Sequence, residues 1–114
     1  MLFRSSHEAL AQSVRRFVAR EIAPYIDQWE AEGELPRELH RKAAEAGILG
    51  LRYPEQYGGH SEGFDIFHGL TQTEELAAVG AGGLSASLMT HGIGLPPVLA
   101  LGSEALKQIG RAHV

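Results

Sequence analysis

The chain has 114 residues, a formal net charge of −4 and no cysteine, with 44% hydrophobic and 21% charged residues. That length holds one domain with a modest core. The acidic balance, without a basic patch, gives no attraction to a nucleic-acid backbone, and the missing cysteines exclude disulfides and thiolate chemistry. The opening MLFRSSHEAL lacks the basic-then-apolar order of a secretory signal.

Helical signals run from the start. Ser5 and Glu8 are spaced as a capping box. Leu10, Val14, Phe17, Val18 and Ile22 then form an apolar stripe at helical spacing. Pro24 is expected to kink or interrupt this helix, because its ring clashes with the carbonyl four residues back. Ile26 and Trp29 resume the stripe, and Gly33 is expected to end it. Pro36 suits the first turn of a second helix, with Leu39, Ala43, Ala44 and Ala46 facing inward and Gly47 as its stop. Ile48, Leu49 and Leu51 make a short apolar exit. Pro54 and Gly58-Gly59 bracket a turn around Tyr57, and a loop leads to a third helix over about Asp65 to Val79. Phe67, Leu70, Leu76 and Val79 are its expected inward positions. Ser103 is a reasonable cap for a last helix ending near Gln108. No stretch alternates with period two long enough to make a sheet.

The run from Leu76 to Ser103 stands apart: 28 residues without Asp, Glu, Lys or Arg, while residues 1–75 carry eight basic and thirteen acidic side chains. About 20 apolar residues span a bilayer. Six glycines, the Pro96-Pro97 pair and the polar Ser85, Ser87, Thr90 and His91 argue against a membrane span here. The preferred reading is two short buried helices meeting at a turn over Gly92–Pro97. The expected fold is all-α, an up-and-down bundle of about five to six helices, with the charged first part covering the uncharged second.

Motifs for chemistry are sparse. The six histidines form no HxxxH or HExxH set, so no metal site is expected. Gly80-Ala81-Gly82-Gly83 follows a helix rather than a strand and lacks the third glycine of a dinucleotide loop. Ser85 and Ser87 have no GxSxG context. Glu74 and Glu75 diverge by about 100° on a helix and cannot act as a paired acid and base. Ser85, Met89 and Ile93 lie at i, i+4 and i+8, a stripe able to floor a narrow apolar slot or to pack against a neighbouring helix.

Several pieces in order resemble the N-terminal helical domain of the acyl-CoA dehydrogenases. They are the VRRFVAREIAP run reaching Trp29, Leu35-Pro36-Arg37-Glu38-Leu39, Ala46-Gly47-Ile48-Leu49-Gly50, Pro54-Glu55-Gln56-Tyr57-Gly58-Gly59, Glu74-Glu75-Leu76-Ala77, the helix pair ending at Pro97, and Leu101-Gly102-Ser103-Glu104. The resemblance implies a flavoenzyme that dehydrogenates an acyl-CoA thioester at its α,β-bond with FAD as acceptor. The catalytic Glu and most FAD contacts belong to later domains, so no catalytic residue is carried over. It implies that Ser85, Met89 and Ile93 line the acyl chain. It also implies a homodimeric or homotetrameric, cytoplasmic enzyme passing electrons to an electron-transfer flavoprotein. The alternative is a stand-alone helical module for acyl binding or protein docking. The last six residues depart from the family pattern and read like one frame of a sequencing-library adaptor. The domain is therefore expected over 1–108, with 109–114 as a non-native tail.

Overall fold

The computed structural model describes residues 5–110. It is all-α among those residues. The helices are α1 (Ser5–Glu21), α2 (Ile26–Glu32), α3 (Arg37–Glu45), α4 (Ile66–Ala77), α5 (Gly82–Leu88), α6 (His91–Leu101) and α7 (Glu104–Gly110), with a single 3-10 turn at Glu55–Tyr57. Pro24 interrupts the first helix, the second of the two outcomes expected, and that division brings the α-helices among the described residues to seven. Ala23 N–H turns back to the Val18 carbonyl at 2.8 Å, and α2 restarts beyond. The stripe still resumes in phase, since Ile26 and Trp29 pack against the same core.

The molecule measures 41 × 37 × 20 Å, and its thinnest dimension is about two helix diameters. Its core is Val14, Phe17 and Ile22 from α1 and its exit, Leu39 and Ala43 of α3, Ile48 and Leu49 beyond it, Leu76 of α4, and Leu84 and Leu88 of α5. Ion pairs seal the rim. Arg15 donates to Glu75 through Nε (3.1 Å) and Nη2 (2.6 Å), clamping α1 to α4, and Lys42 of α3 reaches Glu21 of α1 at 2.8 Å. Gly33 and Gly47 end their helices at φ +73° and +81°, as expected of left-handed stops. Ser103 Oγ accepts from Leu106 N–H at 3.2 Å at the head of α7.

Three expectations are corrected. Ala44 and Ala46 are exposed, because α3 turns only Leu39 and Ala43 inward. In α4 the buried positions are His68, Thr71, Gln72 and Leu76, and Leu70 is 55% exposed. Leu76 is buried and Val79 packs against the core as expected, but the rest of the inward face of α4 is polar, which an apolar stripe cannot locate. Finally, the uncharged run does not turn at Gly92–Pro97. It breaks at Met89-Thr90, and α6 continues through Pro96 and Pro97. Nor is α6 buried: no residue in it is, and Ile93 and Leu101 are 82% and 89% exposed. A proline ring removes one helical donor and crowds the carbonyl four residues back. On an open surface that carbonyl has water, so the helix survives.

Candidate functional site

The break at Met89-Thr90 decides where the three stripe residues go. A continuous helix is needed to stack i, i+4 and i+8, and the break separates Ile93 from the other two. Met89 is half-buried against the core. It lines a cleft of about 340 Å³ together with Leu49, Leu51, Arg52, Ile66, Leu70 and Gln72. Ile93 lines a different cleft of about 560 Å³, shared with His40, Leu88 and Leu95. Ser85 is half-buried and lines neither. The residues of the expected slot are thus distributed over two clefts flanking the α5–α6 junction.

His91 and Leu49 border both clefts. His91 Nε2 lies 2.7 Å from the Leu49 carbonyl. A carbonyl only accepts, so that nitrogen carries the proton and the imidazole braces α6 against the exit of α3. His91 forms a septum between the two spaces.

The floor of the Met89 cleft is the 50–60 loop, which the sequence marked only as a turn. Arg52 N–H donates to the His60 carbonyl at 2.7 Å and His60 N–H to the Gly50 carbonyl at 2.9 Å, an isolated parallel bridge. Two glycines make the closure possible. A Cβ at Gly59 would sit 2.3 Å from the Tyr53 carbonyl oxygen, and one at Gly50 would meet Gly59 Cα at 3.2 Å. Arg52 adopts φ +70°, the one non-glycine residue with positive φ among those described. That conformation costs about 1–3 kcal/mol and persists where surrounding structure imposes it. Glu55 holds the far side: its carboxylate accepts from Ser61 N–H (2.6 Å), Ser61 Oγ (2.8 Å) and Glu62 N–H (2.8 Å). These bonds, with the Glu62 amide foremost, draw the carboxyl down to about 2. Tyr57 donates to Glu104 at 2.8 Å and ties the loop to α7.

A second polar cluster was invisible to motif reading, because its members lie 58 positions apart. His7 and His68 are buried and stacked at 3.8 Å. Asp65 Oδ1 lies 2.9 Å from His7 Nε2 and accepts from Phe67 N–H (2.9 Å) and His68 N–H (3.1 Å), while His68 Nδ1 accepts from Asp65 N–H at 3.0 Å. This is a capping box with histidine in the place usually held by Glu or Gln. The His7 contact, more than the amides, holds the Asp65 carboxyl well below the usual range. Three potential ligand atoms of His7, Asp65 and His68 fall within 4.8 Å of one another; the same atoms cap α4 and lock α1 to it.

In the Gly80–Gly83 segment a Cβ at Gly82 would meet nothing within 4 Å and one at Gly83 only Glu30 Oε1 at 4.0 Å, so protein packing requires neither glycine. Taken as one run, Gly82–Leu101 is the described stretch long and apolar enough to cross a membrane; the structure divides it at Met89-Thr90.

Comparison with known proteins fits this architecture. The family model for the acyl-CoA dehydrogenase N-terminal domain matches residues 4–109. The long-chain specific acyl-CoA dehydrogenase of Sus scrofa mitochondria is 36% identical over 103 residues, covering 90% of this chain and 23% of that protein. The glutaryl-CoA dehydrogenase of Desulfococcus multivorans is also 36% identical over 103 residues, covering 89% and 26%. Among solved structures, a probable acyl-CoA dehydrogenase from Mycobacterium abscessus superposes with a TM-score of 0.85 at 44% identity, covering 96% of this chain and 29% of that one. The chain therefore spans about a quarter of the length of the curated relatives it matches over most of its own length.

Proposed function

Because the chain belongs to the acyl-CoA dehydrogenase family and matches its N-terminal helical domain, we propose that it is the helical wall of a flavin-dependent enzyme that oxidises the α,β-bond of an acyl-CoA thioester. The observation that carries this reading is the cleft holding Met89, whose wall is largely carbon: Leu49, Leu51, Ile66, Leu70 and Met89. An acyl tail lying on such a surface leaves water at about 25 cal/mol per Å² of apolar area covered. One wall leaves the other side of the tail wet, so the reading requires further domains to close the cleft. In the complete enzyme Met89 and Ile93 limit the tail from two sides of the His91 septum, and Ser85 stands one turn before Met89 on α5.

FAD, if bound in the complete enzyme, would supply the hydride acceptor. The family reading assigns its main contacts to segments outside this chain, as it does the carboxylate base that takes the α-proton. This chain binds and orients the tail and excludes water from it. The same reading makes the enzyme a cytoplasmic homodimer or homotetramer that reduces an electron-transfer flavoprotein, with the native domain ending near Gln108.

Expression of the complete gene product with FAD, and assay of acyl-CoA-dependent reduction of a dye acceptor, tests this reading. Turnover is expected, and Met89→Trp should depress kcat/KM for long acyl chains at least tenfold more than for short ones. Absence of turnover, or equal loss on both, overturns it. The genomic sequence beyond the Gln108 codon checks the boundary: a stop codon directly after Val114 contradicts the multidomain reading.

A further inference from the structure

His7 of α1 and His68 of α4 are each 2% exposed and stack at 3.8 Å. Capping α4 does not call for such a pair. Glu or Gln ordinarily closes a capping box at the third helical position, without a second buried imidazole from another helix.

The hydrogen bonds around His68 fix its tautomer. Nδ1 accepts from Asp65 N–H at 3.0 Å, so Nδ1 is bare and Nε2 carries the proton, which it donates to Ser6 Oγ at 3.2 Å. A metal-ligating imidazole has this form: one nitrogen open, the other held by an outer partner. Phe64 packs T-shaped against the ring at 5.0 Å and sets its plane. The bare Nδ1 also meets Asp65 Oδ1 at 2.9 Å, two acceptors at hydrogen-bond distance. His7 Nε2 converges on the same oxygen at 2.9 Å. Positive charge among these three atoms relieves the contact between acceptors. Ligands bound at about 2.0–2.1 Å, at angles between square and tetrahedral, stand about 2.9–3.4 Å apart, close to the spacing already present.

We propose that His7 Nε2, the Asp65 carboxylate and His68 Nδ1 form a site for a zinc-class divalent cation that staples α1 to α4. Two imidazoles and a carboxylate suit such an ion. Asp65, 53% exposed, gives it a path from solvent, and water completes the coordination. Binding takes the lone pair that Asp65 N–H now uses and needs His7 as the tautomer with Nε2 bare, since a ligating nitrogen carries no proton. The amide end of α4 opposes a cation; the carboxylate, which already accepts from two of those amides, offsets it. None of the three residues lines either cleft beside His91, so the site is independent of the acyl-chain reading.

The test is zinc titration of the complete gene product after chelator treatment, read by calorimetry and by the melting midpoint. Saturable binding is expected, with a midpoint that rises with zinc concentration. His68→Gln puts the ordinary capping-box residue in place and removes a ligand, so a loss of zinc affinity in it is not a loss of the cap. That affinity should fall about tenfold or more, and the zinc-induced rise in midpoint should shrink with it. No saturable binding, an unmoved midpoint, or equal zinc affinity in His68→Gln overturns the proposal, because a purely structural cap behaves so. Should His68→Gln fail to fold, X-ray absorption at the zinc edge of the loaded wild type decides. Two imidazoles around the metal are expected there, and fewer than two overturn the site.

Discussion

The charged and uncharged regions of this chain exchange the places that hydropathy assigns them. Residues 1–75 carry nearly all the charge, yet α1, α3 and the exit of α3 supply most of the core. The uncharged run from Leu76 to Ser103 supplies Leu76, Leu84 and Leu88 to that core and leaves the whole of α6 unburied. The charges sit at the rim and pair across elements, as Arg15 does with Glu75 and Lys42 with Glu21. The lesson is that an uncharged helix signals a surface to be covered and does not say by what. A large exposed apolar face marks an interface, and in this family reading the remaining domains provide the cover.

The sharpest way to break that contrast is to truncate one leucine from each side of it. Leu88→Ala, at a residue 1% exposed, should cost about 2–5 kcal/mol in denaturant unfolding of the chain. Leu101→Ala, at 89% exposure, should cost less than about 0.5 kcal/mol. Equal costs would erase the distinction, and a larger Leu101 cost in the complete enzyme would sharpen it. Gly59→Ala comes next: its Cβ meets backbone at 2.3 Å, so about 1–3 kcal/mol should be lost, and Tyr53 near-UV dichroism should change. A smaller effect is expected from pH. Glu55 and Asp65 have carboxyls depressed by folding, Glu55 to about 2. Their contribution is full above the unfolded carboxylate range near pH 4–4.5 and is lost as pH falls toward 2. The melting midpoint should therefore drop over that window, and Glu55→Gln should flatten part of the drop; an unaltered acid limb removes Glu55 from the account. The smallest thermal change belongs to Ile93→Lys with Leu101→Lys. It should leave the midpoint nearly unmoved while reducing self-association of the 114-residue chain in sedimentation, since both residues lie on the open face.

Sequence reading recovered what depends on local periodicity. The stripe of Val14, Phe17 and Ile22 is buried as its spacing requires, Gly33 and Gly47 stop their helices, and Ser103 caps α7. It missed what depends on partners. Leu70 and the alanines at 44 and 46 are apolar but face outward, because no element lies over them. His68 and Gln72 are polar but face inward, because Asp65 and the Ile48 carbonyl meet them there. The break at Met89-Thr90 carries no proline or glycine of its own, so no punctuation announced it, and the Ser85–Met89–Ile93 stack was inferred on a helix that does not continue. Arg52 gave no signal at all: its strained backbone follows from a bridge closed by Gly50 and Gly59 on either side.

The pairing of α1 with α4 sets the order of events on the ribosome. The first helix leaves the exit tunnel with Val14 and Phe17 uncovered, and its clamp partners Asp65 and Glu75 lie 58 and 60 positions beyond His7 and Arg15, a wait of several seconds at about 5–20 residues per second. The nascent chain must therefore pass through a stage in which a formed amphipathic segment has nothing to lie on, and that interval, rather than the finished domain, is where chaperones have most to shield.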